Sequence, residues 1–265
     1  MITLLRLALP GCLLVLAACS PTPSGPPALD RKAYTLTGAS QCDTTTNKGI
    51  DLSVSYLQLR DESDAARQIN DSLQQLGVGS ITAWLDSTDV ATHPEARTNL
   101  KAAADLFAAS YQSLLSEMGG LGGCWQLETK MDTLFSSPNL LTARMETFAY
   151  TGGAHPNANV TLMTFDRRTG RPVNLADIVA DTTALLGVVE TAFRKQQGLL
   201  PQYNLEERGY FLRDGHFFLP ANIGVGRKGL IFYYNPYEIA AYAVGPIEVV
   251  VPYEQMNGML KSGWM

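Results

Sequence analysis

The chain has 265 residues, enough for one or two domains. Hydrophobic residues make up 46% and charged residues 17%, which excludes a disordered polyelectrolyte and supplies a sizeable core. The formal net charge is -5 with no Lys/Arg run, which argues against a nucleic-acid partner gripped through its phosphates. Three His and four Cys leave little material for a metal site, and no cofactor is expected.

The first element is a leader. Met1 to Arg6 precedes an apolar run from Leu7 to Ala18. That run is about 12 residues, short of the ~20 that a spanning helix needs, and it fits the h-region of a signal peptide. It ends Leu16-Ala17-Ala18-Cys19, which resembles a bacterial lipobox. The resemblance implies that residues 1–18 are removed and that Cys19 carries the lipid. Ser20 follows Cys19 where Asp would resemble an inner-membrane retention signal, so the expected site is the outer membrane, facing the periplasm. Residues 19–29 contain SPTPSGPPA, a Pro-rich tether. Cys12 leaves with the leader and Cys19 is acylated. Cys42 and Cys124 then form one pair in an oxidising compartment, and a disulfide between them is expected. Closing a loop of ~80 residues would stabilise the fold by about 4 kcal/mol.

Further along, Ile50, Leu52, Val54 and Tyr56 alternate as in a strand. Asp64 to Leu76 reads as a helix that Gly77 would stop, and Pro94 to Met118 as a longer helix with Pro94 in its first turn. From Trp125 the period is two: Trp125 to Met131, Leu141 to Thr147 and Val160 to Phe165 are strands. Asp166 to Gly170 is a hairpin turn. Leu175 to Ala180 and Thr182 to Gln197 are helical, the second with Asp181 as its N-cap. Phe217 to Leu219, Leu230 to Tyr234 and Pro246 to Val251 are short strands, and Pro252 to Leu260 a closing helical turn. This order predicts an α+β fold, an antiparallel sheet with helices on one face. A small N-terminal α+β subdomain, 30–139, precedes a larger one, 140–265.

Two loops stand out. Tyr150-Thr-Gly-Gly153-Ala-His155-Pro156 brings paired glycines to a histidine. His155 reads either as a turn residue capping backbone groups or as a contact for a partner, because no carboxylate or nucleophile adjoins it. The second loop holds Pro236, Tyr237, Glu238 and Tyr242, with four Tyr between 233 and 242. Tyr offers rigid amphipathic area at low entropic cost and stacks on sugars. Glu238 stands alone, whereas glycoside hydrolysis needs two carboxylates. The pattern Gly224-Val-Gly226-Arg-Lys-Gly229 runs into the strand-like Leu230 to Tyr234, so it reads as a glycine-rich hairpin rather than a dinucleotide site.

The His155 turn, the following FDRRTGRPVNLADIV and the later LIFYYNPYEIAAYAVGPIEVVVPYEQM together resemble the exported domain of the anti-sigma-V factor family. That unit also accompanies the catalytic domain of some peptidoglycan deacetylases and stands alone in many lipoproteins. The resemblance implies a helix-on-sheet α+β fold of a kind that binds lysozyme in that family; His155, Pro156, Pro236, Tyr237 and Tyr242 match its motif loops, and together with Gly153 and Glu238 they are the expected binding residues. It extends to neither a sigma-binding segment nor a deacetylase domain with its Asp and His metal ligands. The expectation is a non-catalytic, lipid-anchored envelope protein that binds a lysozyme-like muramidase or peptidoglycan glycan. The alternative is an envelope enzyme acting on peptidoglycan, with His155 and Glu238 as acid and base.

Overall fold

A computed structural model describes residues 25–264, apart from 38 and 44; Cys19 and the leader lie outside the described residues. The first part of the chain builds β1 (Leu29–Thr35), β2 (Ile50–Leu59), α1 (Asp64–Thr82), α2 (Ser87–Thr92) and α3 (Leu100–Glu117). Then come β3 (Trp125–Ser136), β4 (Leu140–Tyr150) and β5 (Asn157–Asp166). After them follow α4 (Leu175–Ile178), α5 (Thr182–Gln196), β6 (Ile223–Val225), β7 (Gly229–Tyr234) and β8 (Ile247–Pro252).

Strands β1 to β5 form one sheet in chain order, and β6 to β8 form a second. Pairing is antiparallel except between β2 and β3, which run parallel because α1 to α3 cross over between them. The fold is α+β as the pattern implies, with this one parallel pair as the departure from an antiparallel sheet. The position expected to divide two subdomains, 139/140, falls in the tight turn between β3 and β4. Those strands pair from Gln126 with Tyr150 to Ser136 with Leu141, so the first sheet is continuous across it.

Period-two alternation gives the first sheet two different faces. Leu127, Met131, Leu141, Ala143 and Phe165 point to one face, where α1 and α3 cover them. Ile69, Leu73 and Ile81 of α1 are completely buried there. Each such side chain contributes about 1.5–3 kcal/mol of burial. The opposite face carries Val160 and Leu162, which pack on Ile231 and Tyr233 of the second sheet. The other side of that second sheet holds Leu230, Phe232 and Tyr234 against Leu185, Val189 and Phe193 of α5. The order of layers is therefore helices, sheet, sheet, helix.

Local chemistry explains where elements start and stop. Ser63 caps α1 by accepting from the Ala66 N–H at 3.2 Å, and Asp181 caps α5 from the Ala184 N–H at 2.8 Å. Gly77 does not end α1, which runs on to Thr82. A Cβ there would sit 3.2 Å from Val54 Cγ1, so this glycine permits close packing of helix on strand. The expected helix from Pro94 is also divided. Pro94 opens a separate 3-10 turn to Arg97, and α3 begins after Asn99, which accepts from the Ala102 N–H. Phe217 to Leu219 is not a strand; Phe217 is instead a core residue under α5. The glycine-rich segment is a hairpin between β6 and β7, closed by Gly226 N–H donating to Gly229 O at 2.9 Å.

Two devices fix the ends of β5. Along its free edge, the Leu162 N–H donates to Asn222 Oδ1 and Asn222 Nδ2 donates to Val160 O, both at 2.7 Å. Asn235 accepts from the Val160 N–H at 2.7 Å and donates to the same Val160 O at 3.0 Å. Two side-chain amides thus take the place of a neighbouring strand. Beyond the other end, the Arg167 guanidinium donates to the carbonyls of Gly25, Ser137 and Pro138 at 2.6, 2.7 and 3.0 Å. This clamp fastens the start of the described chain to the β3–β4 turn.

Candidate functional site: an aromatic cluster beside a charged groove

The turn after β4 and the loop after β7 meet in space. His155 Nδ1 lies 3.0 Å from Pro156 O, so it carries the proton and donates to that carbonyl. Nε2 is then the acceptor for the Tyr237 hydroxyl at 3.1 Å. The imidazole stacks on Tyr242, with ring centroids 3.9 Å apart and planes at 17°. The Tyr242 hydroxyl donates to Pro156 O at 2.8 Å, and the Tyr237 and Tyr242 rings are 5.5 Å apart. Residues some 80 positions apart in sequence thus form one aromatic stack.

Each flank is held. Gly152 and Gly153 both have positive φ, 99° and 104°, which lets the turn reverse; the Gly153 carbonyl accepts from the Tyr150 hydroxyl at 3.0 Å. The second loop is tied to β5 by Asn235. Its carboxylate Glu238 turns back and accepts from the Asn235 N–H at 3.0 Å, while Glu238 N–H donates to Asn235 O. Glu238 is therefore a loop-closing group. Tyr237 itself sits at φ 68°, a left-handed conformation that a bulky residue avoids, yet the residue is 54% exposed.

Pro236 and Tyr242 line a groove of about 610 Å³. Its floor is the outer face of the first sheet: Glu128 and Lys130 of β3, and Arg144, Glu146 and Phe148 of β4. Arg144 is the centre of the charge pattern. Its guanidinium donates to Glu146 at 2.8 Å and Glu248 at 3.0 Å and lies 5.2 Å from the Tyr233 ring centroid. Burial disfavours the Arg144 charge, but the two carboxylates outweigh it and hold the group above its usual range. Burial pushes the Tyr233 hydroxyl up, with Arg144 opposing. Exposed Phe148 and Val244 complete an amphipathic surface.

The sequence reading found His155, Pro156, Tyr237 and Tyr242, and the fold brings these together, with Gly153 and Glu238 shaping the two loops. It missed Asn222 and Asn235 and the floor residues. The signal for the floor was present as the polar half of the alternation in β3 and β4, Glu128-x-Lys130 and Arg144-x-Glu146. Among the described residues no group of three or more His, Cys, Asp or Glu is placed to hold a metal, and no helix is long and apolar enough to cross a membrane. Cys42 and Cys124 are neighbours but stand as free thiols, not as the expected bond. Burial pushes the Cys42 thiol up, and a hydrogen bond with Cys124 adds to this.

The chain resembles known proteins in two ways. It is 27% identical over 124 residues to the immunogenic proteins MPT64 of Mycobacterium tuberculosis and MPB64 of Mycobacterium bovis, a stretch that is 44% of this chain. The match spans 50% of their length, so the chain covers about half of these curated relatives. A solved DUF3298 family structure from Bacteroides fragilis aligns over 89% of this chain and 95% of its own, with TM-score 0.67 and 24% identity. A second, from Pseudomonas aeruginosa PAO1, aligns over 91% and 97%, with TM-score 0.60 and 17% identity. At these identities the likeness speaks for the fold. Residues 176–254 match the sequence profile described as "Protein of unknown function (DUF3298)". The match covers the segment that builds α5, the second sheet and the Tyr237 loop.

Proposed function

We propose that the chain is a lipid-anchored, non-catalytic binding protein of the cell envelope, whose ligand is a lysozyme-like muramidase or a cell-wall glycan. One observation carries the reading: His155, Tyr237 and Tyr242 converge in a single half-exposed stack whose Tyr242 lines an amphipathic groove. Rigid aromatic rings over a partly charged floor suit a protein edge or a sugar ring. The lipobox-like leader supports anchoring through Cys19, and the acidic charge would steer a basic muramidase toward the site, an effect that salt weakens. The alternative of an envelope enzyme needs Glu238 as a partner for His155, but that carboxylate is engaged by the Asn235 N–H.

The test is muramidase turnover and co-precipitation with the chain from Ser20 onward. Micromolar protein is expected to slow turnover or retain the enzyme, and Tyr237→Ala to abolish the effect. Unchanged turnover sinks the inhibitor version, and glycan fragments that fail to bind as well sink the reading altogether. Turnover of peptidoglycan fragments that disappears in His155→Ala at unchanged thermal stability would establish the enzyme instead.

We also propose that Cys42 and Cys124 join on export, since the fold already places them side by side. Protein recovered from the envelope should then lack two hydrogens by intact mass and resist thiol labelling. Reduction should lower unfolding stability by about 4 kcal/mol, given a loop of ~80 residues. Free thiols in freshly isolated envelope protein contradict this.

A further inference from the structure

A second concavity lies on the opposite face of the first sheet. Helix α1 packs on β2, β3 and the Leu141 and Phe165 ends of β4 and β5, leaving a cleft of about 590 Å³ over the remainder of β4 and β5. Leu76 and Trp84 line it from the helix side, and Met145, Thr147, Thr161 and Met163 from the strands. None of His155, Tyr237 and Tyr242 lines the cleft, although Thr147 and Asn159 line both the cleft and the groove beside that stack.

Three observations concern its occupant. The first is Gly79. It lies inside α1, where glycine is less favourable than alanine. A Cβ at 79 would meet nothing within 4 Å, whereas one at Gly77 would press on Val54. Packing within the chain therefore explains Gly77 and not Gly79, which lines the cleft and keeps it open. The second is charge. Asp71 is the single ionisable residue in the lining, and no Lys, Arg or His accompanies it, so an anionic ligand finds no partner. Two of its polar groups are satisfied from within: Thr129 donates to Ser80 at 2.8 Å and adjoins Thr147 at 3.3 Å, and Ser80 donates to Gly77 O at 2.7 Å. The third is relief. Leu76, Trp84, Met145 and Met163 are recessed, and none belongs to the large hydrophobics that protrude from the surface. A recessed apolar hollow of this volume fits a small molecule, whereas a protein interface needs a broad accessible patch of ~800 Å² on each partner. Methionine walls adapt to irregular shapes, and an indole offers a flat face.

We infer that the cleft between α1 and β4–β5 is a separate binding site for a small, uncharged, mainly apolar molecule, with Trp84 as its aromatic wall and Gly79 as its open floor. The site is independent of the proposed partner binding at the aromatic stack.

The chain from Ser20 onward, titrated with the neutral probe N-phenyl-1-naphthylamine, tests this. Saturable probe emission is expected, with quenching of tryptophan emission by energy transfer that Trp84→Phe largely removes. Gly79→Leu fills the floor and is expected to weaken probe affinity at least tenfold while the melting temperature stays or rises. Ala83→Phe, at the helix end, is the second filling variant should the first fold poorly. The sulfonated analogue 1-anilinonaphthalene-8-sulfonate is expected to bind at least tenfold more weakly than the neutral probe. No saturable binding to the parent overturns the inference. Equal affinity of a folded filling variant, or quenching that survives Trp84→Phe, overturns it as well. Tyr237→Gly should leave the probe affinity unchanged, which separates this site from the aromatic stack.

Discussion

Tyr237→Gly is expected to leave the fold within about 1 kcal/mol of the parent, or slightly more stable, while partner binding falls at least tenfold. Holding a bulky side chain at φ 68° costs on the order of 1–3 kcal/mol, and glycine removes that strain. Against it stand the extra freedom of glycine in the unfolded chain, about 0.5–1 kcal/mol, and the lost contact with His155. The residue is 54% exposed, so only part of its surface is buried in the fold. Tyr237→Ala keeps the strained backbone and loses the same ring, so it should be less stable than Tyr237→Gly by about 1 kcal/mol. Urea denaturation of the three proteins gives the order, and a glycine variant less stable than the alanine variant contradicts it. Tyr237 lies outside the core, so its strained conformation serves to place the ring.

The second large effect concerns the β5 edge. Asn222→Ala removes two hydrogen bonds at 2.7 Å, leaving the Leu162 N–H without a partner and Val160 O served only by Asn235. A buried backbone group without a partner costs about 1–3 kcal/mol. Asn235→Ala strips the Val160 N–H in the same way and also frees the loop that carries Tyr237. Because both amides serve Val160, the double variant should show a coupling of at least ~0.5 kcal/mol rather than simple addition. It should also self-associate, since a bare strand edge is a template for another chain. Asn222→Asp provides a check: it can accept from the Leu162 N–H but faces the Val160 carbonyl with negative charge, so it too should destabilise. Sedimentation and chemical denaturation read both effects. A monomeric double variant with parental stability would mean that the amides are ornaments of the edge rather than its cover.

Much of the fold was legible from local pattern. The Asp181 cap, the period-two strands from Trp125 and the Asp166–Gly170 turn all rest on interactions between near neighbours in sequence. What escaped depends on distant partners. β1, with its charged LDRKAYT, adjoins the Pro-rich segment and shows itself only through pairing with β2. Gly77 looked like a stop because its reason, Val54 Cγ1, lies on another element. The parallel register of β2 and β3 likewise needs the crossover to be seen in three dimensions. For the site, the two clusters around His155 and Tyr237 stood out by composition, but their meeting did not, and nothing periodic announces that Asn222 and Asn235 act as a substitute strand.

The Arg167 clamp sets a geometry for the whole molecule. It grips Gly25 just past the C-terminal end of β5, while the His155 turn leads into the N-terminal end of the same strand. Ten residues of strand at roughly 3.3 Å each put about 30 Å between them. With the anchor proposed at Cys19, the strand acts as a rigid spar with its mooring at one tip and its aromatic hook at the other. With that proposed anchor, the hook would face outward, away from the bilayer.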